Sequence, residues 1–554
     1  MSIIGQQSVT ITLTDDAAPL SVEAGVSVLA TARQNDIDIM ATCGGRGRCR
    51  SCRIKLFRGT ATEPGIADFS QLSKDEIDEG YRLACQCYPQ SDSRYSITPP
   101  TRETSFQILS EPGEWPDFLD SIDPVGENET PYGIAFDIGT TTVVGYLINL
   151  ETGATLACVS GLNPQTVFGG DLISRIGFAA EKKTHVKKLH QRIVTFMNDL
   201  SERACDQVGI SRADICKVTL VGNTCMHHLF LGIDPTPLGS APYAPVLREA
   251  RQCPARECGL RLHKHAQVYT LPIIAGFVGA DTVAMILSAK LGSRAGNVIA
   301  ADIGTNAEVV LKSHHGLIAC SSPAGPALEG GQIRDGMRAS LGAIDQVTAD
   351  RDIIIHTIGD APALGICGSG LIDAIAELLD LGIIDKTGRL HVEPKALLPE
   401  AIAARLRNGE DGVAEFVLVW AADSGNHLDI VLSQGDIRQL QLAKAAIMSG
   451  VQALLQQGNL EHIDIDAFLL AGGFGNYINI RNARRIGLIP DLANDRIHFI
   501  ANAAGLGAQM ALLSEQCRRQ AEKIAVETQH LSLAGLQGFQ KIYLDAMGFP
   551  MEIK

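Results

Sequence analysis

An excess of basic charge is the first thing this chain lacks. Its 554 residues set 47 Lys and Arg against 62 Asp and Glu, a formal net charge of -15. Nucleic-acid binding rests on concentrated cations that neutralise phosphates, so no nucleic-acid partner is expected. A long apolar run is missing as well. The most apolar stretch, Leu271–Leu291, is interrupted by Asp281 and Lys290, which leaves no membrane-spanning helix. At the start, Met1-Ser-Ile-Ile-Gly-Gln-Gln has neither the basic nor the apolar region of a secretory leader, and the 14 cysteines are spread along the chain rather than crowded into a disulfide framework. Both absences point to a cytoplasmic protein with reduced thiols. What the length does provide is material for several domains and a large core.

Four cysteines stand out by spacing. Cys43, Cys49 and Cys52 form C-x5-C-x2-C in Ala41-Thr-Cys-Gly-Gly-Arg-Gly-Arg-Cys-Arg-Ser-Cys-Arg-Ile, and Cys85 follows in Arg82-Leu-Ala-Cys-Gln. A plant-type [2Fe-2S] cluster requires three ligands on one tight loop and a fourth from elsewhere, and Gly44, Gly45 and Gly47 let that loop curl closely around inorganic sulfide. The plant-type loop is one residue shorter. The longer spacing resembles the adrenodoxin-like branch of the ferredoxins, with the cluster type unchanged. Zinc fits poorly, because its sites pair two short knuckles. Cys87 reads as a spare thiol, since ferredoxins place the ligand inside Arg-Leu-x-Cys-Gln. The flanks agree: Val9-Thr-Ile-Thr-Leu alternates like a strand, and Ser21 to Arg33 reads as a turn into a helix. Residues 1–96 are therefore expected to form a β-grasp [2Fe-2S] ferredoxin domain.

Arg46, Arg48, Arg50, Arg53, Lys55 and Arg58 crowd the cysteine loop of this acidic chain. They read either as a solvated face that offsets an anionic cluster or as a dock for an acidic redox partner. Residues 97–130 then turn to linker composition, with Thr98-Pro-Pro, Glu111-Pro-Gly-Glu-Trp-Pro and Asp123-Pro-Val-Gly. Phe106-Gln-Ile-Leu and Phe118-Leu suggest partial order within that connector.

Beyond it, Tyr132-Gly-Ile-Ala-Phe-Asp-Ile-Gly-Thr-Thr-Thr-Val-Val-Gly reads as a β-hairpin. Its strand carries Asp137, placed to orient Mg²⁺ through water. The turn at Gly139 brings backbone N–H groups to a phosphate, and Thr140, Thr141 and Thr142 add hydroxyl donors. The motif recurs in Val298-Ile-Ala-Ala-Asp-Ile-Gly-Thr-Asn-Ala-Glu-Val-Val, where Asp302, Gly304, Thr305 and Asn306 take the corresponding places. Two copies of one hairpin suggest duplicated lobes facing each other across a nucleotide cleft. A third signal, Asp466-Ala-Phe-Leu-Leu-Ala-Gly-Gly-Phe-Gly, is a strand running into a glycine turn. Gly472, Gly473 and Gly475 there allow close approach to an adenosine.

In this order, the three signals resemble the superfamily of acetate and sugar kinases, Hsp70 and actin, with RNase H-like lobes. The expected architecture is multidomain, α+β and α/β: a ferredoxin at 1–96, a linker at 97–130, a first RNase H-like lobe at 131–210 and a C-terminal ATPase domain at 211–554. Leu220-Val-Gly-Asn-Thr-Cys-Met-His-His, Ala275-Gly-Phe-Val-Gly-Ala-Asp-Thr, Ile366-Cys-Gly-Ser-Gly-Leu-Ile-Asp and Ser433-Gln-Gly-Asp-Ile-Arg look like the reductive activators of corrinoid-dependent methyltransferases, and with the ferredoxin the resemblance covers nearly the whole chain. It implies an enzyme that returns Co(II) corrinoid protein to Co(I) with a [2Fe-2S] cluster, ATP and Mg²⁺. The implied partners are that corrinoid protein and an electron-donating reductase or ferredoxin, and a homodimer is compatible. Relatives acting on methylamine systems carry a C-terminal [4Fe-4S] region, whereas Cys517 stands alone here.

The weaker candidates are Cys253, Cys258, His263 and His265, an irregular C-x4-C-x4-H-x-H favouring surface-loop residues over metal, and His227 and His228, which read as packing. Asp281 reads equally as a helix cap or a Mg²⁺ and water contact. Cys367 lacks the paired cysteine that a subunit-bridging cluster needs. Two other functions remain open from the residues alone: a small-molecule kinase with an accessory ferredoxin, and a non-catalytic electron-transfer scaffold.

Overall fold

The computed structural model describes residues 8–13, 18–72, 74–97, 122–126, 130–393, 398–410, 412–472 and 478–550. Its N-terminal sheet has five strands in the order Leu20–Val22, Val9–Thr12, Ser93–Ile97, Arg53–Arg58, Tyr81–Leu83. Val9–Thr12 pairs antiparallel with its hairpin partner and parallel with Ser93–Ile97, giving the expected β-grasp. Ser27 caps the helix Val28–Gln34 by accepting from Ala30 N at 3.2 Å, as an N-cap serine does. Val28, Leu29 and Ala32 then bury against Ile11, Ile54 and Leu83 of the sheet.

Two six-stranded sheets follow, built on one plan. The first runs Thr155–Leu162, Thr142–Asn149, Tyr132–Ile138, Ile215–Gly222, Gln267–Thr270 and the edge strand Arg251–Pro254; the second runs Gly316–Ser322, Ala307–Ser313, Val298–Ile303, Ala467–Ala471 and Ile497–Phe499, with Gln529–His530 at the opposite edge. Each joins three antiparallel strands to two parallel ones, the RNase H-like pattern. Both faces of the central strands are covered, which is why they read as unbroken apolar runs. Ile134, Phe136 and Ile138 face one core, while Ala135 joins Val298, Ala300 and Val310 in a core shared by both lobes.

The lobe boundary expected at 210 falls inside the first sheet. Ile215–Gly222 pairs along the whole of Tyr132–Ile138, and Gln267–Thr270 pairs with it in turn, so the sheet extends to Thr270. The apparent boundary is the end of the helix Lys183–Val208 at Gly209, which adopts left-handed φ. That helix is the crossover returning the chain to the sheet, and a parallel pairing requires one.

Helices Ala280–Ser288 and Ala503–Leu513 lie in the shared core. They approach closely at one point, where a Cβ at Gly507 would strike the Ala284 carbonyl. The second lobe also carries an insertion with two three-stranded sheets and the helix Gly368–Asp380, followed by the long helix Gln434–Gln457. Of the expected linker, residues 98–121 and 127–129 lie outside the described residues, including Phe106-Gln-Ile-Leu and Phe118-Leu. Its described end is anchored, with Asp123 N donating to Leu513 O at 2.8 Å and Asp123 paired with Arg518 at 2.7 Å. No helix of the described residues is long and apolar enough to cross a membrane.

Candidate functional site

Cys43, Cys49, Cys52 and Cys85 are all buried, three on the loop after Ala41 and the fourth just past Tyr81–Leu83. They associate as two pairs. A hydrogen bond from Cys49 holds the Cys43 thiol down at about 5, and one from Cys52 holds Cys85 at about 7; the same contacts, with burial, push Cys49 and Cys52 up. Four buried thiols, three from one loop and one from the turn after the neighbouring strand, approach in two pairs, a donor set that fits a two-iron cluster. The surroundings suit its negative charge. Arg48 N donates to Cys43 Sγ at 3.4 Å, Ser51 Oγ to Cys49 Sγ at 3.3 Å and Gln86 Nε2 to Cys85 Sγ at 3.6 Å. Gly44, Gly45 and Gly47 take φ of 70°, 90° and 66°, which glycine adopts without strain. Cys87 is directed elsewhere: its thiol donates to Tyr95 Oη at 3.7 Å, and burial pushes it up to about 11.

Four of the six basic residues around this loop have side-chain partners within the chain. Arg50 and Arg53 pair with Glu76, and Lys55 pairs with Glu79. Arg46 reaches the first lobe, where its Nη2 meets Asp171 at 3.0 Å and Ser174 Oγ at 2.8 Å. Other contacts fix the ferredoxin against this lobe. Gly170 N donates to Thr42 O at 2.8 Å, Arg33 Nη2 to Val167 O at 3.0 Å, and Arg192 grips Asp38 with both terminal nitrogens at 2.9 and 2.8 Å.

A cleft of about 300 Å³ lies between the duplicated hairpins and is lined by Asp137, Gly139, Thr140, Thr141 and Thr142 from the first and Asp302, Gly304, Thr305 and Asn306 from the second. The loops meet across it, with Thr141 Oγ1 and Thr305 Oγ1 3.2 Å apart. Gly472 closes the end beside Asp302. Its φ is +96° and a Cβ there would lie 2.7 Å from Asp302 Oδ1, so glycine is required. Gly473 and Gly475 lie outside the described residues.

Acid dominates the centre of the cleft. Burial pushes Asp137 up to about 6, opposed by Asn502 Nδ2 donating to its Oδ2 at 3.1 Å. Asp281 and Asp302 rise to about 7, through burial first and neighbouring carboxylates second. Burial and the charges of Asp281 and Asp302 push Glu308 up further. Carboxylates that raise one another concentrate negative potential, and a divalent cation relieves it. Among the described residues no three acid, thiol or imidazole groups converge tightly enough to enclose a bare ion.

Several of these residues escape sequence reasoning. Glu308 faces Asp302 in the hairpin register, where the first hairpin sets Val144 against Asp137. Asn502 caps the helix Ala503–Leu513 while bonding Asp137 from far along the chain, and its only local signal is an Asn before a run of small residues. Asp281, which the sequence offered equally as a cap or a Mg²⁺ and water contact, lines the cleft from the first turn of its helix, and the cap residue is Gly279. Cys253 and Cys258 bring their sulfurs to 3.3 Å, and no metal group gathers them with His263 and His265 among the described residues. His227 and His228 are fully buried, and His228 Nε2 accepts from Val246 N at 3.0 Å.

A ferredoxin seated on a two-lobed fold of the acetate-kinase and actin type defines an iron–sulfur protein built together with a nucleotide module. The chain matches the 2Fe-2S iron-sulfur cluster binding domain over residues 11–90, the RACo middle region over 132–294, and the C-terminal domain of RACo, the ASKHA domain, over 296–554. It is 37% identical over 552 residues to the corrinoid activation enzyme RamQ of Eubacterium limosum, covering 91% of this chain and 92% of that protein. It is 27% identical over 463 residues to the Co(II) methylated amine-specific corrinoid protein reductase of Methanosarcina barkeri, covering 76% and 78%. A solved reductive activator for corrinoid,iron-sulfur protein matches with a TM-score of 0.70 and 30% identity over 98% of both chains. The chain belongs to this family of ferredoxin-bearing reductive activators of corrinoid proteins.

Proposed function

We propose that this chain reduces a Co(II) corrinoid protein to Co(I), delivering one electron through a [2Fe-2S] cluster held by Cys43, Cys49, Cys52 and Cys85, and that MgATP in the cleft drives the transfer. What supports this reading most is the seating of the cysteine loop on the lobe that carries the first phosphate loop, in a chain similar to RamQ along nearly all its length. The cluster supplies one-electron chemistry near about -400 mV for its plant type. A Co(I) corrinoid is a stronger reductant than that, so equilibration alone leaves most cobalt oxidised.

The lobes contribute the rest. Backbone N–H groups at 139–142 and 304–306, with the hydroxyls of the threonines among them turned toward the ligand, would hold phosphates, and Asp137 and Asp302 would orient the waters of a Mg²⁺ ion. Gly472 approaches the adenosine, and the same contact expected of Gly473 and Gly475 remains a reading of the sequence. Opening and closing around nucleotide then changes how the lobes hold the corrinoid partner, because a ligand shifts an equilibrium only by its preference between states. A reductase or ferredoxin refills the cluster.

The test follows Co(II) loss and Co(I) gain by stopped-flow absorbance. Pre-reduced protein is mixed with a corrinoid partner and ATP, a non-hydrolysable analogue or no nucleotide. ATP dependence is expected, and equal rates and extents in all three would leave only an electron-transfer scaffold. For the ligand set, iron and sulfide analysis should show Cys85→Ser losing the cluster and Cys87→Ser keeping it.

A further inference from the structure

Arg175 sits on the helix Leu172–Glu181 with none of its surface exposed. A buried charge is normally paired, yet the hydrogen bonds of this guanidinium go to neutral acceptors: Gly169 O at 2.8 Å, Gln165 Oε1 at 3.2 Å, Met226 Sδ at 3.0 Å, and Thr140 O in the first phosphate loop. The acceptors at its two ends belong to different pieces of machinery. Thr140 and Thr141 line the cleft. Gly169 begins the segment that meets the ferredoxin, where Gly170 N donates to Thr42 O, and Asp171 and Ser174 hold Arg46. That junction is tight, since a Cβ on Gly170 would strike Thr42 and one on Gly44 would lie 2.9 Å from Ser174 Cβ.

We propose that Arg175 is a positioning residue that couples nucleotide at the first phosphate loop to seating of the ferredoxin's cysteine loop, each strengthening the other. This rests on the nucleotide reading of the cleft given above. The C=O and N–H of a trans peptide point in opposite directions. With Thr140 O held by Arg175, the N–H at the other end of that peptide belongs to Thr141, points away from Arg175 and sits on a residue that lines the cleft. A phosphate accepting from that N–H polarises the peptide and strengthens its carbonyl bond to Arg175, as happens along a hydrogen-bond chain. Arg175 in turn fixes Gly169 O, which keeps Gly170 N–H presented to Thr42. Loss of the γ-phosphate or of the nucleotide reverses the sequence and frees the cysteine loop.

The experiment uses the full-length protein with its cluster. Hydrogen–deuterium exchange is followed at residues 42–48 with and without a non-hydrolysable MgATP analogue, and analogue affinity is measured by calorimetry. In the unmodified chain the analogue should slow exchange there about fivefold or more. Gly170→Ala, which unseats the loop with Arg175 intact, should weaken analogue binding by the same factor, because such coupling is reciprocal. Arg175→Met should abolish both effects, and Arg175→Lys should restore part of them, which a purely structural role would not produce. If Arg175→Met does not fold, Gly170→Ala decides. Analogue binding with unchanged exchange at 42–48, or Gly170→Ala with faster exchange and undiminished affinity, overturns the coupling and leaves the nucleotide reading standing. If no analogue binds at all, the nucleotide reading fails and the coupling falls with it.

Discussion

The two Asp-Ile-Gly-Thr hairpins share a sequence, a strand order and a place in their sheets, yet they sit in opposite electrostatic company. The first has Val144 across from its aspartate, an amide on Asp137 from Asn502 and a buried guanidinium behind Thr140. The second has Glu308 across from its aspartate, and Thr305 donates to Glu329 Oε1 at 2.6 Å. Duplication supplied two loops of one shape. The difference between their surroundings is electrostatic: acid gathers around the second loop, while the first backs onto a guanidinium that also reaches Gly169 O.

The largest effect should come from removing either aspartate. Asp137→Asn and Asp302→Asn are each expected to lower ATP turnover about 10²–10³-fold, the scale of losing one electrostatic group at a reacting phosphate. Steady-state phosphate release checks this, and full turnover in both folded variants would make the hairpins structural.

Next in size is an exchange of company. Val144→Glu places an acid in the shared core opposite Asp137 and should destabilise the fold by about 3 kcal/mol. Glu308→Val should leave the metal-free protein at least as stable while lowering Mg²⁺-dependent turnover. Thermal melts with and without Mg²⁺ test the contrast, and equal destabilisation by both changes would erase the distinction between the loops.

The raised pKa values give a smaller, pH-dependent effect. A carboxyl whose folded pKa is raised keeps its proton over a range in which the unfolded chain has lost it. Its contribution is therefore present at low pH and lost as pH climbs from about 4 to about 7. Burial lifts Asp302 to about 7. Asp302→Asn, which stays neutral, should match the unmodified protein near pH 4 and exceed it by a margin that grows as pH climbs to 8 without metal. Denaturant midpoints at the two pH values measure this, and a gain that shrinks with rising pH contradicts the sign. The smallest effect belongs to the hydroxyls. Thr305→Val should weaken ATP binding by about 1 kcal/mol, roughly fivefold, and Thr141→Val by less. Calorimetry showing the reverse order would put the stronger grip on the first loop.

Much of this could be read from the chain because its signals are local. A tight turn declares itself through Gly and Thr, a ferredoxin loop through cysteine spacing, and a buried parallel strand through an apolar run. The acid centre is only half visible for the same reason. Asp137 and Asp302 lie inside the motif, but Glu308 counts only through the hairpin register, and Asn502 reaches Asp137 from the far end of the fold. Arg175 looks like any charge on a helix until its burial is known. At residue 210 a crossover helix ending in glycine imitates a domain boundary, because sequence shows where an element stops and not which sheet the next strand joins.

The meeting of Gly507 with Ala284 has a consequence for motion. With a glycine set against a backbone carbonyl, and Thr219 Oγ1 of the first sheet donating to Ala508 O at 2.8 Å, the helix Ala503–Leu513 is clamped to the first lobe at this point. Opening of the cleft is then a turn about this pinned helix and not a slide across it, much as a door moves about its pin.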